Sequence, residues 1–277
     1  MVFRFINRYT ANIRNLPHTI SRIKNKNQIP IIDYANESSR LHDLNYKVIC
    51  DTIKAYPNNM FAIKCSSLGC LYLYEKEWSH KIKHIIELAI KYNSTIMIDA
   101  EQNSIQYSIN RWTDYFLMEY NTDTPIVYKT YQMYRKDSYK RFKNDLETFK
   151  DISLGIKLVR GAYYNTDKKN GVLFDNKCET DASFNNAMKL FNSKNNNKHH
   201  MVVASHNEKS IDMLNEFTHE NISVAHLLGF SDNLSQELVK RDIRVYKYVP
   251  FGNYRDTFPY LIRRLYENYP ILLHLHK

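Results

Sequence analysis

The sequence predicts a single domain of the α/β class, a (β/α)8 barrel of the TIM type. Eight short runs of apolar or β-branched residues recur along the 277-residue chain, and segments with helical spacing lie between them. A Gly-x-Gly-x-x-Gly motif follows none of these runs, which argues against the alternative of an open, doubly wound sheet. The chain contains only six glycines, which leaves little room for that motif.

The alternation of strands and helices begins near residue 29 and continues to the C-terminus. The predicted strands are residues 29–33, 60–65, 95–99, 126–131, 155–160, 201–205, 222–228 and 244–249. The clearest predicted helices are residues 80–92, 138–149, 180–191, 207–217 and 232–241, and a last helix is predicted near residues 256–269. We therefore assign residues 29–277 to the barrel domain.

Residues 1–28 differ in composition from the rest of the chain. They carry six Arg and Lys residues and no Asp or Glu, and Phe3, Ile6, Ile13 and Leu16 give a partial amphipathic stripe. A mitochondrial targeting segment is Arg-rich, poor in acidic residues and amphipathic. Two interpretations stay open for this segment, a mitochondrial targeting sequence and a basic N-terminal extension that leads into the barrel.

The overall composition excludes several classes of protein. The net charge of +10 is spread along the chain without a nucleic-acid-reading motif, so we expect no nucleic-acid partner. The four cysteines form no Cys-x-x-Cys pair and fit reduced, buried thiols better than a disulfide framework. No apolar run approaches the roughly 18 residues of a membrane span, so any membrane contact is expected to be peripheral.

Charged and polar side chains collect where the predicted strands end. In a barrel of this kind the C-terminal ends of the strands form one face, and the active site lies there. Six predicted strand ends contribute to the expected site: Lys64, Asp99, Ala100, Glu101, Tyr131, Gln132, Lys157, Arg160, Tyr163, Tyr164, Ser205, His206, Asn207 and Tyr248. Convergence of so many polar residues predicts a functional site rather than ordinary turns.

Two of these strand ends indicate ligand binding. Arg160 stands beside Gly161, which suits a phosphate approached by the backbone, and Tyr163 follows with an aromatic ring for stacking. Ser205 and His206 are adjacent on a strand and point to opposite faces, so they cannot pair as nucleophile and base. We interpret them as hydrogen-bonding groups around a ligand.

Asp99 is the most informative carboxylate in the chain. It ends an apolar strand, where an unpaired carboxylate would be costly, so a cation is expected beside it, and Lys64 is the candidate one strand away. Asp99 and Glu101 alone supply too few ligands for a metal ion, and the histidines show no His-Glu-x-x-His pattern. No metal is therefore expected.

The last predicted helix carries an unusually polar face. Tyr260, Arg263, Arg264 and Glu267 follow the spacing i, i+3, i+4 and i+7, so they share one side of the helix. This face fits either an exposed helix with an ordinary Arg/Glu pair or a clamp for a carboxylate or phosphate, because guanidinium groups bind such anions bidentately. We expect the clamp if the helix covers the strand ends.

Nine segments of the chain resemble, in the same order, the motifs of the proline dehydrogenase family, whose members oxidise proline to pyrroline-5-carboxylate with FAD. They run from residue 61 to residue 268 of the predicted barrel, and LVRGAY and YLIRRLYEN are the most specific. The segments are FAIKCSSLG (61–69), MIDAEQ (97–102), KTYQMYRKD (129–137), GIKLVRGAYY (155–164), ETDASFNNA (179–187), ASHNEKS (204–210), HLLGFSDNLS (226–235), YKYVPFG (246–252) and PYLIRRLYEN (259–268).

The resemblance implies roles for the substrate-side residues. Arg263 and Arg264 match the arginine pair that binds the proline carboxylate, and Tyr260 matches a residue of the same helix that packs against the substrate. Lys64 matches a group beside the substrate. Tyr248 matches a residue that shapes the pocket for the proline ring, and family members that favour hydroxyproline tend to have a smaller residue there.

The resemblance also implies a catalytic pair and a set of cofactor contacts. Asp99 and Lys157 match the charged groups beside substrate and flavin, and Lys157 keeps a positive charge where many bacterial members have Arg. His226 and Phe230 stand where Gln and Met are frequent, and Asn176 stands where some members have an Arg near the cofactor phosphates. The residues that match FAD contacts are Ile98, Gln132, Lys157, Arg160, Gly161, Ala162, Tyr164, Ser205, His206, Asn207 and Glu267.

The family further implies a mechanism and partners. The expected barrel is distorted, with the last helix lying over its C-terminal mouth. The expected reaction is hydride transfer from proline C5 to flavin N5, the first step of proline catabolism, with electrons passed to a quinone-type acceptor. The expected location is the mitochondrial matrix or inner-membrane face in a eukaryote, and otherwise the cytoplasm with peripheral membrane association.

Three alternatives to proline oxidation stay open at this point. The first is a hydroxyproline dehydrogenase. The second is another FAD barrel, such as one that reduces methylenetetrahydrofolate, which gives no reason for the double arginine beside Tyr260. The third is a catalytically dead relative that serves as a binding protein, and the presence of Lys64, Asp99 and Tyr248 together argues against such decay.

Overall fold

The strands form the predicted closed barrel. The computed structural model describes residues 8–36, 40–194, 196–217 and 221–267, except for the side chains of residues 256, 259 and 263–267. Eight parallel strands pair in chain order and close on themselves. They are β1 (Ile29–Tyr34), β2 (Met60–Ile63), β3 (Thr95–Ile98), β4 (Val127–Gln132), β5 (Gly155–Val159), β6 (His200–Ala204), β7 (Ile222–Leu227) and β8 (Val245–Phe251). Every strand overlaps a predicted run, so the fold class is confirmed.

Helices connect successive strands and cover the outside of the barrel. They are α1 (Leu16–Lys24), α2 (His42–Ala55), α3 (Glu75–Lys91), α4 (Asn103–Tyr120), α5 (Ser138–Thr148), α6 (Tyr164–Asp167), α7 (Lys177–Lys194), α8 (Glu208–Asp212), α9 (Asp232–Lys240) and α10 (Tyr254–Glu267). α3 begins at Glu75, five residues before the predicted start at residue 80. The carboxylates of Glu75 and Glu77 stabilise this first turn because they lie at the positive end of the helix dipole. The helix predicted at 207–217 ends at Asp212 and continues as a 3-10 turn over Met213–Glu216.

The strands are buried on both faces, which explains why they read as nearly continuous apolar runs. Side chains such as Met97 and Val202 fill the barrel interior, and their strand neighbours Ile96 and Val203 pack outward against the helices. At the base of the interior, His200 links Tyr128 and Ser223 through its two ring nitrogens, each at 2.8 Å. The part of the interior that these residues fill is therefore a packed core.

The described part of the basic N-terminal segment packs on the barrel. α1 buries Leu16, Ile20 and Ile23. The Ala11 amide donates to the Pro250 carbonyl at 2.8 Å, so this segment runs beside the end of β8. The targeting role proposed for residues 1–28, and the boundary at residue 28, stay predictions.

The last helix, α10, lies over the C-terminal mouth of the barrel as predicted. Tyr260 is buried there among residues from the strand ends, and the neighbouring Leu261 packs against Tyr9 and Phe230. Among the described residues, no helix combines the length and the hydropathy that crossing a bilayer requires.

Candidate active site

A cavity of about 400 Å³, which we call the mouth cavity, opens at the C-terminal ends of the strands. That volume lies in the range of small-molecule binding sites. Tyr260 from α10 closes one side of it. Twelve of the residues to which the resemblance assigns a catalytic, substrate or cofactor role line the mouth cavity: Lys64, Asp99, Gln132, Lys157, Arg160, Gly161, Ala162, Ser205, His206, Asn207, Tyr248 and Tyr260.

Two predicted cofactor residues occupy other positions. Ile98 is buried in the apolar layer between the barrel and the helices, because it alternates with Asp99, which turns towards the mouth. Tyr164 begins α6 and is 44% exposed, and its neighbour Tyr163 lines the mouth cavity instead. Which of the two tyrosines faces the ligand depends on where the short helix begins.

The predicted anion clamp cannot be placed atom by atom. The side chains of Arg263, Arg264 and Glu267 lie outside the described residues, although the backbone of α10 continues to residue 267. Their assignment to the substrate carboxylate and the cofactor stays a prediction from the sequence.

Four buried charged side chains, Asp33, Lys64, Asp99 and Lys157, meet at the mouth, and we call them the mouth charge cluster. Lys157 Nζ lies 2.6 Å from Asp99 Oδ1. Lys64 Nζ lies 2.5 Å from Asp33 Oδ1 and 3.7 Å from Asp99 Oδ2. Within this cluster, two ammonium groups thus face two carboxylates. Burial of charge is tolerated here because each charge has an opposite partner.

Aromatic rings surround the two lysines of this cluster. Lys157 Nζ lies 4.6 Å from the centre of the Tyr248 ring. Lys64 Nζ lies 5.8 Å from the same ring and 5.7 Å from the ring of Tyr260. The face of an aromatic ring attracts cations at such distances. The two tyrosines therefore hold the ammonium groups in place and present apolar walls to the cavity.

Ionisation in the mouth charge cluster follows from burial and neighbouring charge. Burial raises the pKa of Asp99, but the ammonium groups of Lys157 and Lys64 outweigh it, so the net pKa is below the usual value. Burial lowers the pKa of Lys157, although Asp99 opposes that shift. Burial and the carboxylates of Asp33 and Asp99 raise the pKa of Tyr248 well above its usual value. At neutral pH, Asp99 is a carboxylate and Tyr248 a neutral phenol.

Arg160 is held by protein groups on one side of the mouth cavity. Its guanidinium donates to Asp181 Oδ1 at 2.7 Å, Ser205 Oγ at 2.7 Å and Ser210 Oγ at 2.9 Å, and it stacks 4.3 Å from the Phe184 ring. The sequence suggested a cation available to a phosphate. The structure places a guanidinium that is already paired with a carboxylate, so Arg160 also organises the cavity wall.

Gly161 gives the wall a close approach that no side chain would allow. Its φ is +137°, and an added Cβ would lie 2.5 Å from atoms of the Tyr134 ring. That ring is held because the Tyr134 hydroxyl donates to Asp167 at 3.2 Å and accepts from the Tyr163 amide at 3.3 Å. The backbone next to Arg160 is therefore open to a ligand at a position where only glycine fits.

A pair of imidazoles lines the mouth cavity at the ends of β6 and β7. The rings of His206 and His226 stack with centres 5.2 Å apart and planes 22° apart. The Leu227 amide donates to His206 Nε2 at 3.4 Å, so His206 Nδ1 carries the hydrogen that it directs to Ser231 Oγ at 2.9 Å. Burial lowers the pKa of His206 to about 4, so its ring is neutral.

These residues fit a flavin cofactor. Gln132 lines the mouth cavity, and its buried Oε1 has no hydrogen-bond partner among the described residues, which leaves an acceptor for a ligand N–H. The backbone at Gly161 and the neutral ring of His206 provide a close approach and a flat surface. The described residues contain no group of three or more His, Cys, Asp or Glu side chains that would hold a metal ion.

Sequence reasoning missed several residues of the site. Asp33 ends a predicted strand, so the strand-end rule that found Asp99 would have found it too. Thr130 lines the mouth cavity from β4, and the alternation of its strand indicates that position. Lys177 also lines it, but it begins α7 and carries no such signal.

Comparison with known proteins gives matches along most of the chain. A family model described as proline dehydrogenase matches residues 5–275. Proline dehydrogenase 1, mitochondrial, of Dictyostelium discoideum is 33% identical over 215 residues, which are 70% of this chain and 38% of that protein. A hydroxyproline dehydrogenase of Xenopus laevis is 30% identical and aligns with 74% of this chain and 50% of that protein. The chain thus spans half or less of the length of these two relatives.

A solved structure shares the same fold. Proline utilization A (PutA) from Corynebacterium freiburgense superposes with a TM-score of 0.84, covers 96% of this chain and is 18% identical in sequence. The match involves 31% of the PutA chain. At this level of identity the likeness establishes the barrel fold.

Proposed function

Because the chain belongs to the proline dehydrogenase family, we propose that it oxidises L-proline to 1-pyrroline-5-carboxylate with FAD and passes the electrons to a quinone-type acceptor. The observation that carries this proposal is the Lys157–Asp99 pair, which lies beside the rings of Tyr248 and Tyr260 in the mouth cavity. Balanced charges next to aromatic walls suit a small zwitterion with an apolar ring.

The substrate side of the site has separate places for ring and carboxylate. Tyr248 and Tyr260 supply flat apolar surfaces for a five-membered ring. Lys64 lies between them with its ammonium group at the cavity wall, where it can donate to a carboxylate. The sequence assigns the main carboxylate contacts to Arg263 and Arg264 on the same helix as Tyr260.

The cofactor would occupy the wall formed by β4, β5, β6 and the residues that follow them. Bound FAD would supply the hydride acceptor, its N5 taking the hydride that leaves proline C5. The described residues that would hold it are Gln132, Lys157, Arg160, Gly161, Ala162, Ser205, His206 and Asn207.

In the reaction, the protein orients the substrate and keeps Asp99 and Tyr248 in fixed protonation states. The proline amine must be neutral, because its lone pair forms the new C=N bond as the hydride departs. Asp99 remains ionised and Tyr248 remains a hydrogen-bond donor to it, so neither needs to change its protonation state during binding. We therefore expect activity to rise with pH as free proline loses its ammonium proton, until a group in the site titrates.

Hydroxyproline is the second candidate substrate, since the relative from Xenopus laevis is a hydroxyproline dehydrogenase. Tyr248 is the residue that bears on this choice of substrate. Its ring is buried at the mouth, and its hydroxyl donates a hydrogen bond of 2.7 Å to Asp99. A substituent on the proline ring would compete with this ring for space. We therefore favour proline.

The decisive experiment is spectroscopic. The purified protein is examined for flavin absorbance and then mixed with L-proline in the absence of oxygen. Bleaching of the flavin band by L-proline supports the proposal. If flavin is bound and L-proline does not bleach it, the proposal is overturned. If hydroxyproline bleaches the flavin and L-proline does not, the substrate is hydroxyproline. Binding of proline without bleaching would favour the catalytically dead relative.

The cellular setting is also part of the proposal. If the source is eukaryotic, we propose that residues 1–28 direct the chain to the mitochondrion, in line with the mitochondrial relative from Dictyostelium discoideum. The electron acceptor then lies at a membrane, which the chain contacts only peripherally. Import of residues 1–28 fused to a fluorescent protein tests the targeting role directly.

A further inference from the structure

Asp33 is a buried carboxylate that lies behind the wall of the mouth cavity. It belongs to β1 and pairs in register with Ala62 of β2 and Pro250 of β8. Its strand therefore lies between the strand that leads to Lys64 and the strand that carries Tyr248. The cavity wall at this point is formed by Lys64 and Tyr248, with Asp33 behind them.

The contact between Asp33 and Lys64 is short and shielded from water. Lys64 Nζ donates to Asp33 Oδ1 at 2.5 Å, and the two side chains are 2% and 1% exposed respectively. An ammonium group has three hydrogens, and this bond fixes the direction of one of them. A second contact, to the Tyr248 hydroxyl at 3.4 Å, restrains the group further. Asp33, which lies behind the cavity wall, thus fixes the position of the Lys64 ammonium at the cavity.

Charge balance in the mouth charge cluster also depends on Asp33. Within the four residues of this cluster, loss of the Asp33 carboxylate would leave Asp99 facing two ammonium groups, with Lys157 at 2.6 Å and Lys64 at 3.7 Å. A buried ammonium without a partner is strongly unfavourable. Lys64 would then move towards Asp99, away from the position that it has beside Tyr260. In the intact cluster the shorter contact of Asp99 is with Lys157, at 2.6 Å, and the shorter contact of Lys64 is with Asp33, at 2.5 Å.

We infer that Asp33 is a positioning residue for substrate binding: it holds the Lys64 ammonium at the wall of the mouth cavity, where that ammonium contacts the carboxylate of the bound amino acid. This inference rests on the proposed function, since it takes Lys64 as a substrate contact. Asp33 does not line the mouth cavity, and we assign its effect on substrate binding to its contact with Lys64.

The first test replaces the carboxylate by an amide of the same shape. Asp33→Asn should raise the KM for L-proline about tenfold or more, the effect expected for a weakened charged hydrogen bond, while kcat changes by less than about threefold. A binding measurement that needs no turnover accompanies it. The probe is the proline analogue with oxygen in place of the ring nitrogen, and its affinity, measured by calorimetry on the flavin-loaded protein, should fall by the same factor.

A matched control separates positioning from general damage. Asp145 forms a comparable buried pair with Lys129, with Oδ2 and Nζ 2.6 Å apart, on the outer side of β4. Asp145→Asn should lower thermal stability to a similar extent and leave the affinity for the analogue unchanged. Equal loss of affinity in both variants would assign the effect to instability and overturn the inference.

A double-mutant cycle makes the test independent of the folding of one variant. The effect of Asp33→Asn on analogue affinity is measured in the native chain and again in the Lys64→Met variant. The double variant lacks both charges of the pair. If Asp33 acts through Lys64, it should have no further effect on analogue affinity once Lys64 is gone. An undiminished effect in the Lys64→Met background would overturn the inference.

Failure of the proposed function gives a different result. In that case L-proline does not bleach the flavin of the native chain, whether or not the analogue binds. If L-proline bleaches the flavin of the native chain and Asp33→Asn binds the analogue as tightly as the native chain does, the proposed function stands and the positioning role of Asp33 is rejected.

Discussion

The Tyr248 hydroxyl donates a hydrogen bond of 2.7 Å to Asp99 Oδ2, inside the mouth cavity and shielded from water. The same carboxylate receives Lys157 on its other oxygen at 2.6 Å. Asp99 is therefore fixed at both oxygens, by a charged donor and by a neutral one. The phenol stays protonated because burial and the nearby carboxylates raise its pKa well above the usual value.

Tyr248→Phe should lower kcat/KM for L-proline about tenfold to hundredfold, the effect of losing one hydrogen bond to a charged group. The Phe ring would keep the contact with Lys157, so the change isolates the hydroxyl. Steady-state kinetics with a dye as electron acceptor measures the effect, and flavin content should be unchanged. Activity equal to that of the native chain would show that the hydroxyl has no part in orienting Asp99.

The arginine pair of α10 gives a second prediction. Arg264→Met should raise the KM for L-proline about tenfold to hundredfold with FAD still bound, because the carboxylate loses a charged hydrogen bond. Arg255→Met is the matched control, since Arg255 is exposed near the start of the same helix. The KM is measured for both variants side by side. A KM that does not change in Arg264→Met, or that changes equally in both, contradicts the clamp.

The fold was predictable because its pattern is local and repeated. Every barrel strand is a short apolar run buried on both faces, so periodicity alone located β1 to β8 to within two residues at either end. The strand-end rule then selected residues such as Lys64 and Asp99, which the barrel brings together because all its parallel strands end on one face.

Other parts of the site depend on packing between distant segments. The partners of Arg160 include Asp181 on α7 and Ser210 on α8, 21 and 50 residues further along the chain. Periodicity places these helices but does not give the direction of their side chains. Likewise, Tyr163 and Tyr164 are equivalent in the sequence, and only the start of α6 decides which of them faces the mouth cavity.

Gly161 provides a third prediction, which concerns cofactor binding. Gly161→Ala should weaken FAD binding about tenfold or more, because the added Cβ would lie 2.5 Å from the Tyr134 ring at a φ of +137°. Fluorescence titration of the apoprotein with FAD measures the dissociation constant.

The control for this prediction is another glycine with positive φ. Gly171 has a φ of +66°, and a Cβ there would meet nothing within 4 Å, so Gly171→Ala adds backbone strain without a collision. Its dissociation constant for FAD should stay near that of the native chain. Equal weakening in both variants would mean that backbone strain, rather than the Tyr134 contact, causes the loss.

The buried histidine at the base of the barrel predicts acid sensitivity of folding. Burial, with a smaller contribution from Arg244, lowers the pKa of His200 to about 4 from the usual 6.5. Between these values the unfolded chain takes up a proton that the folded chain does not, so the free energy of unfolding falls as the pH falls through this window. Because the two pKa values differ by 2.5, the free energy of unfolding is lower by about 3 kcal/mol at pH 4, and the loss is small above pH 6.5.

His200→Gln tests this assignment because glutamine does not titrate. The variant should be less stable at pH 7, since the bonds to Tyr128 and Ser223 are disturbed, but its stability should depend less steeply on pH. His206 has a similarly lowered pKa and contributes its own slope, which the variant retains. Urea denaturation of the apoprotein at pH 7, 6 and 5 gives the free energy of unfolding of the native chain and of the variant. Near pH 5 the native chain should take up about one more proton on unfolding than the variant, and identical slopes would show that His200 is not the group responsible.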